Sequence, residues 1–477
     1  MFSAVKNYFA EFAVLKNASK EFWLANGIQF FDGLAYFSMM NVITLYLTTN
    51  CGFNDVDSGA WVGIFTLYVT AFVFAVGSVC DTIGIKKSFL IGITLLLIAR
   101  LSFGVAPMFL TGEILQYTVM GMILLMSLGT AFMSPVTSTA IRRFTSLKTR
   151  ATGFNIYYLI MNVGAIFSGF AVTDGLRHSL GEVNGNLAIM IFGFVMSACC
   201  VVCASAMNEN NYAEESERIV DDGKPKPRPL AIFMEVWKEP AFQKLVLFLL
   251  LTIGVRLVFT HQFLVMPKYY TRVLTSDFDL GLANSINPII IVFGLILLIP
   301  IINRFNTFKL IVVGMSISAM SLLFMAMPVQ WFLSIPGIHN LQDAYMFAIF
   351  AQILVFAFGE LIFSPRFTEY IANVAPKEKV ASYMSLSALP MFIAKPINGF
   401  VSGMLVARYS YDGIRAKIET GNVNYDQSPE FMWLIYFGLA LLSPLAVLAM
   451  KNVLEGKKSS ESENSNNVES APVEEMA

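Results

Sequence analysis

One carboxylate stands where carboxylates are costly. Glu360 lies in Gly359-Glu360-Leu361-Ile362-Phe363-Ser364-Pro365, inside an apolar stretch at 344–375. At mid-membrane depth an acid costs on the order of 2.5–3.5 kcal/mol on insertion scales, so it faces a cavity or a partner and marks a substrate or proton path. Pro365 removes a backbone donor shortly after it and should bend the helix there. Asp32 is a second acid inside an apolar stretch, on one helix face with Gln29 and Tyr36 at spacings of three and four residues. Arg100, Arg256, His261 and Lys395 are basic groups at similar depth, and Arg366 and Glu369 stand close to Glu360. Arg256 and Lys395 are deep enough to face a cavity. The plainer alternative for each cation is snorkelling or an interhelical ion pair. His261 has the side chain that titrates nearest neutral pH, or it is a hydrogen-bonded packing residue.

The elements that must hold these groups are apolar helices. The chain has 477 residues, 56% hydrophobic and 14% charged. A soluble protein of this length could not hide that much apolar surface, and a spanning helix needs about 20 apolar residues. Twelve segments fit, at 22–47, 60–80, 88–109, 113–141, 153–172, 187–207, 245–266, 280–302, 310–327, 344–375, 380–406 and 431–450. A polar, proline-rich stretch divides them six and six; it carries Asp-Asp-Gly-Lys-Pro-Lys-Pro-Arg-Pro at 221–229. The expected organisation is an amphipathic segment at 1–21, a six-helix bundle at 22–207, a linker at 208–240, a second bundle at 241–451 and a disordered tail at 452–477. The first segment, with Phe2, Phe9, Phe12 and Leu15, suits the membrane surface and lacks the short apolar core of a cleavable leader.

Lys86, Lys87, Arg142, Arg143, Lys148, Arg150, Arg304, Lys309, Lys377 and Lys379 fall on loops of one side, with the linker and the tail. By the excess of Lys and Arg on cytoplasmic loops, both termini are expected in the cytoplasm, with the protein in the plasma (inner) membrane. The bias is imperfect, because Lys268, Arg272, Arg408, Arg415 and Lys417 lie on the other side. A net charge of -1 argues against nucleic acid as a partner. Of the five cysteines, Cys51, Cys80, Cys199, Cys200 and Cys203, the last four fall in or beside apolar segments without metal-ligand spacing and read as packing thiols. Neither a nucleophile–base pair nor a phosphate-binding glycine loop is evident, so an enzyme is not expected, nor is a cofactor.

Gly77-x-x-x-Asp81-x-x-Gly84-x-Lys86-Lys87, after the second segment, resembles the signature loop of the major facilitator superfamily, with Thr82 where a basic residue is usual. Asn155-Ile-Tyr-Tyr158-Leu-Ile-Met-Asn162-Val-Gly164 resembles the fifth-span motif of one branch, the proton-dependent oligopeptide transporters. Asn284-Ser-Ile-Asn287-Pro288 resembles the eighth-span element of that branch, Phe259-Thr-His261-Gln262 the seventh, and Gly359-Glu360-Leu361 through Pro365 the tenth. The resemblance implies an all-α polytopic membrane protein of twelve transmembrane helices in two six-helix bundles, the major facilitator fold. It implies proton-coupled uptake of small peptides or peptide-like solutes by alternating access, with the substrate site near the midplane between the halves. The site implied is Asp32, Tyr36, Tyr158, Asn162, Arg256, His261, Asn287 and Glu360; Asp32 and Glu360 would carry protons, and Gly77, Asp81 and Gly84 would set the conformational equilibrium.

The chain also departs from that branch. Its first-span pattern, Glu-x-x-Glu-Arg-Phe, is met here by Gln29, Asp32 and Gly33, and its fourth-span Lys-Pro-Asn by Ser134-Pro135-Val136. Both cations associated with the peptide carboxylate are therefore missing, while Glu360, associated with the peptide amine, is kept. An acid-rich site short of cations favours amine-bearing ligands or bound protons. The expected partners are such a small molecule, protons and the lipid bilayer, with the chain acting as a monomer. Two alternatives stay open: a carrier or exporter of another amine-bearing or amphiphilic solute, and a nutrient sensor that binds without transporting.

Overall fold

The protein is described by a computed structural model covering residues 18–146, 149–211, 239–274, 278–302, 305–374 and 389–455. The surface segment expected at the N-terminus, most of the linker and the tail lie outside these residues.

Ser19 accepts from the Phe22 N–H and starts α1, Lys20–Thr49. Asn54 accepts from the Asp57 N–H at the head of α2, Asp55–Ile83. Gly84, at φ 92°, makes the turn into α3, Ile85–Phe109. Then follow α4, Gly112–Arg143, and α5, which runs Arg150–Phe167, widens into a π-helical stretch at Ser168–Asp174 and ends as Gly175–Leu180. Helix α6, Glu182–Ser205, closes the first half. The second half opens on α7, two pieces at Pro240–Leu251 and Ile253–Leu264 that meet at a 45° bend, followed by a short extension, Met266–Val273. Helix α8 is Leu280–Ile302, α9 is Thr307–Met320, α10 is Leu341–Val374, α11 is Leu389–Tyr409 and α12 is Pro429–Ala449.

Ten of these helices are long and apolar enough to cross a membrane, the bent α7 makes an eleventh, and α8 supplies the twelfth with its shorter apolar run Leu280–Gly294. The chain is an all-α integral membrane protein. Most expected segments agree with the helices to within a few residues; α2 and α5 extend further, α9 reaches 326 only with the short turn Leu323–Ala326, and the start expected for the eleventh, at 380–388, lies outside the described residues.

Without water between helices, packing in a bilayer relies on close backbone approach at small residues. The seam between the halves is built that way. Gly59 and Gly63 of α2 meet Gly399 and Gly403 of α11; a Cβ on Gly59 would stand 2.7 Å from the Gly403 Cα. Gly169 of α5 lies against Gly281 of α8, and a Cβ on either would collide with the other's carbonyl.

Polar contacts bolt the same seam. The Lys268 amine donates to Asp55 at 2.7 Å and to the Ser58 hydroxyl at 2.6 Å. Arg272 pairs with Asp55 at 2.9 Å and with Asp412 at 2.7 Å. His178 meets Asp279 at 2.9 Å. These contacts all lie at the end of the molecule opposite the linker, where α1 ends and α2 begins, and where α7 ends and α8 begins.

Candidate functional site

Beneath that bolted end, a cavity of about 220 Å³ lies between the halves. Helix α1 lends it Phe37 and Asn41, and α5 lends Tyr158, Met161, Asn162 and Ala165. Helix α7 brings Phe259, Gln262 and Phe263; α8 brings Asn284, Asn287 and Pro288; α10 brings Phe356 and Glu360. Toward the linker side, α5 leaves Asn155 and Tyr158 exposed.

Glu360 is the one charged side chain in the lining, among the described residues. It accepts a hydrogen bond of 2.9 Å from the Asn287 amide, whose own oxygen is buried without a partner. The Asn284 amide donates across the seam to the Asn41 oxygen at 2.9 Å, and Asn41 donates to the Thr173 hydroxyl at 3.1 Å. Gln262 donates to the Asn284 carbonyl at 2.8 Å. Buried amides need partners, and Asn284 finds one in the opposite half, so a chain of amides joins the cavity to the π-helical stretch of α5. Free acceptors beside a carboxylate suit a ligand that donates several hydrogen bonds, as an ammonium group does.

Arg256 stands behind this wall. Its guanidinium lies over the rings of Phe259, Phe363 and Phe367 at 4.7–4.9 Å. It is near enough to Glu360 and Tyr158 to act on both electrostatically, and its Nε is buried without a partner. Three aromatic rings cover its faces, and its charge lies behind Glu360.

Of the residues expected in the site, Tyr158, Asn162, Asn287 and Glu360 come together around the cavity. Three do not. Asp32 turns into the first half, where Arg100 of α3 holds it at 2.8 Å and bonds Ser197 of α6 at 2.6 Å. Tyr36 is not in the lining and packs edge-on against Phe37, which is. His261 is 1% exposed and packs against Trp433 and Tyr436 of α12, with both ring nitrogens unpartnered. The physical reason is register. A helix turns about 100° per residue, so Phe37 and Asn41 share the cavity face while Asp32 lies well round from it. In α7, Phe259, Gln262 and Phe263 take the cavity face, and His261 points away.

Asn41, Gln262 and Asn284 were not expected as site residues. Amides in apolar helices were the available signal, since each needs a partner there. In the loop motif, Gly84 makes the left-handed turn. Glu209, beyond α6, accepts from the Ile85 N–H, and Lys86 donates to the Ser205 and Met207 carbonyls at 2.8 and 3.0 Å. The loop is thereby tied to the end of α6, inside one half. Gly77 and Asp81 fall within α2, and their surroundings are outside the described residues.

Solved structures with a similar fold include POT family transporters. The in meso crystal structure of PepTSo, a POT family transporter, superposes with a TM-score of 0.67 at 14% identity, covering 92% of this chain and 99% of that one. A POT family transporter in complex with thioalcohol conjugated peptide gives 0.66 at 14% identity, covering 91% and 96%. The peptide transporter POT in complex with sulfate gives 0.66 at 16%, covering 91% and 95%. At such identities the likeness is one of fold. No curated protein sequence matches the chain. The sequence model of the Major Facilitator Superfamily matches residues 26–395. Two six-helix halves that enclose a polar cavity, together with that match over most of the sequence, assign this chain to the major facilitator superfamily.

Proposed function

We propose that this protein is a proton-coupled carrier of small peptides or peptide-like solutes that works by alternating access. The observation that carries the reading is the cavity between the halves, holding Glu360 as its one charged group among the described residues. The likeness to peptide transporter structures supports the choice of solute class. The polar contacts between the halves lie on the side opposite the linker, and the loop charges make the linker side the cytoplasm. The termini are then cytoplasmic and the membrane is the plasma membrane.

In this reading Glu360 accepts the ligand's ammonium group, with the free oxygens of Asn284 and Asn287 beside it. When the ligand leaves, a proton or the nearby Arg256 guanidinium takes up the charge. Each charge carried inward through the membrane potential gains about 2.3 kcal/mol per 100 mV. The two halves rock about the cavity and expose it to one side at a time.

The lining offers no cation for a carboxylate, among the described residues. That favours a second reading, a carrier for amine-bearing solutes without a carboxylate. Uptake into proteoliposomes separates the two. The first reading expects an inward proton gradient to accumulate labelled dipeptides, and unlabelled dipeptides to compete. Competition by C-terminally amidated peptides or simple arylalkylamines alone moves the assignment to the second. No accumulation of either class under a proton gradient overturns the proton-coupled reading.

A further inference from the structure

Asp174 sits at the end of the π-helical stretch of α5 and reaches across the seam. Its two carboxylate oxygens accept from the backbone N–H groups of Gly281 at 2.7 Å and Leu282 at 2.6 Å, the first turn of α8 in the other half. A helix start has unsatisfied donors and a positive end, so a carboxylate there is held strongly. Several features of the fold serve this contact. The extra residue of the π stretch re-aims the side chain. Gly169 and Gly281 let the backbones touch. The adjacent Thr173 accepts from Asn41, and Asn41 accepts from Asn284, so the latch and the cavity share one hydrogen-bonded chain.

The surroundings of Asp174 favour proton exchange with the far-side solvent. Asp174 is 6% exposed, while the neighbouring His178–Asp279 pair has side chains 56% and 44% exposed. His178 lies on the same helix and Asp279 on the approach to α8, and these are the charged groups that act on it. Arg177 is turned aside to Asn186 and Glu182. From α1 the facing side chains are neutral amides and hydroxyls, Ser38 and Asn41.

We propose that Asp174 is a proton-responsive latch: ionised, it bolts the two halves across the start of α8, and protonated from the far side, it releases them so that the cavity turns outward. The sign follows from the bonds. The ionised carboxylate accepts two charge-assisted bonds; a carboxylic acid keeps one good acceptor and loses the charge. Closure is therefore firm at high pH and weakens as pH falls. Far-side acid, the direction of the driving proton gradient, would open the far side to load ligand and proton together. The inference builds on the transport reading above, but its test does not.

The donors themselves report. Hydrogen–deuterium exchange of the full chain in lipid nanodiscs, resolved at the Gly281 and Leu282 amides and corrected for intrinsic rate, measures how often the latch opens. In the wild-type protein, protection should fall from about pH 5 to about pH 3, through and below the ordinary aspartate value. One charge-assisted bond lost corresponds to about a tenfold to hundredfold fall. Protection at the Phe144 amide, bonded to the Ala140 carbonyl, should stay constant and serves as the control. Asp174→Asn should show low protection at every pH, and His178→Gln and Asp279→Asn should each retain the step. Flat protection in the wild type overturns the proposal, as does a step that vanishes in His178→Gln or Asp279→Asn, or wild-type protection in Asp174→Asn. If Asp174→Asn fails to fold, the wild-type profile with the other two variants still decides. A wild-type protein that shows the step yet moves ligand without protons supports the latch and refutes the coupled-uptake reading.

Discussion

Arg100→Met asks whether Asp32 is part of the scaffold or part of the transport chemistry. The pair lies inside the first half, 2.8 Å apart, with side chains 4% and 14% exposed. Arg100 also donates to Ser197 at 2.6 Å, and Gly193 of α6 leaves room for its stem. Methionine fills much of that volume and removes the charge, so the cost is chiefly electrostatic. Breaking a buried pair by removing one partner costs about 3–5 kcal/mol, because the other charge stays buried alone. The acid here keeps some solvent, which places the expectation at the lower end, about 3 kcal/mol. Asp32→Asn should cost a similar amount by stranding Arg100. The double variant should recover at least 1–2 kcal/mol of the sum, as neutral replacements of a buried pair often do. Unfolding by a denaturing detergent in mixed micelles gives the three values. Ligand affinity in the folded variants should stay within about threefold of wild type, since neither group lines the cavity. Wild-type stability in Arg100→Met together with lost proton-driven uptake would refute the scaffold account and return Asp32 to the transport chemistry.

Two further perturbations address the far-side closure. Gly59→Leu puts a side chain where the Gly403 backbone lies, and overpacking of this kind costs about 1–3 kcal/mol. The halves should separate at the far end, and spin labels placed on α2 and α11 should show a longer distance; an unchanged distance would count against the seam. Lys268→Met strips Asp55 and Ser58 of a shared donor while Arg272 remains. Far-side cysteine labelling of the cavity should rise several-fold, and wild-type labelling would mean that the ion cluster does not hold the closure.

How far the sequence reaches can be seen residue by residue. The apolar segments were legible because a membrane enforces length and polarity on each helix separately. Glu360 was legible because an acid in such a segment must have a reason to be there. Tyr158, Asn162 and Asn287 came from motif resemblance, and the cavity gathers them with Glu360. Asp32 and His261 misled because depth in a span is readable while direction is not. Asp32 turns toward α3 and α6, and only the tertiary fold decides that. The partner of Asp32 lies 68 residues away, and the donors to Asp174 lie 107 and 108 residues away. The π-helical stretch that aims Asp174 leaves no mark in apolar periodicity. The paired Gly-x-x-x-Gly runs at 59–63 and 399–403 were readable as close-approach sites, but which helices they join was not.

The account rests on Glu360 as the group that meets the ligand's amine or the driving proton. Glu360→Gln keeps the shape and the Asn287 contact while removing the charge. Binding by calorimetry in detergent and proton-driven accumulation in proteoliposomes should be measured on the same preparation. If the acid pairs with an ammonium group, affinity falls by several kcal/mol, because one buried partner is left alone. If it carries the proton, affinity persists and accumulation under a proton gradient disappears. Wild-type affinity together with wild-type proton-driven accumulation in Glu360→Gln would contradict the account.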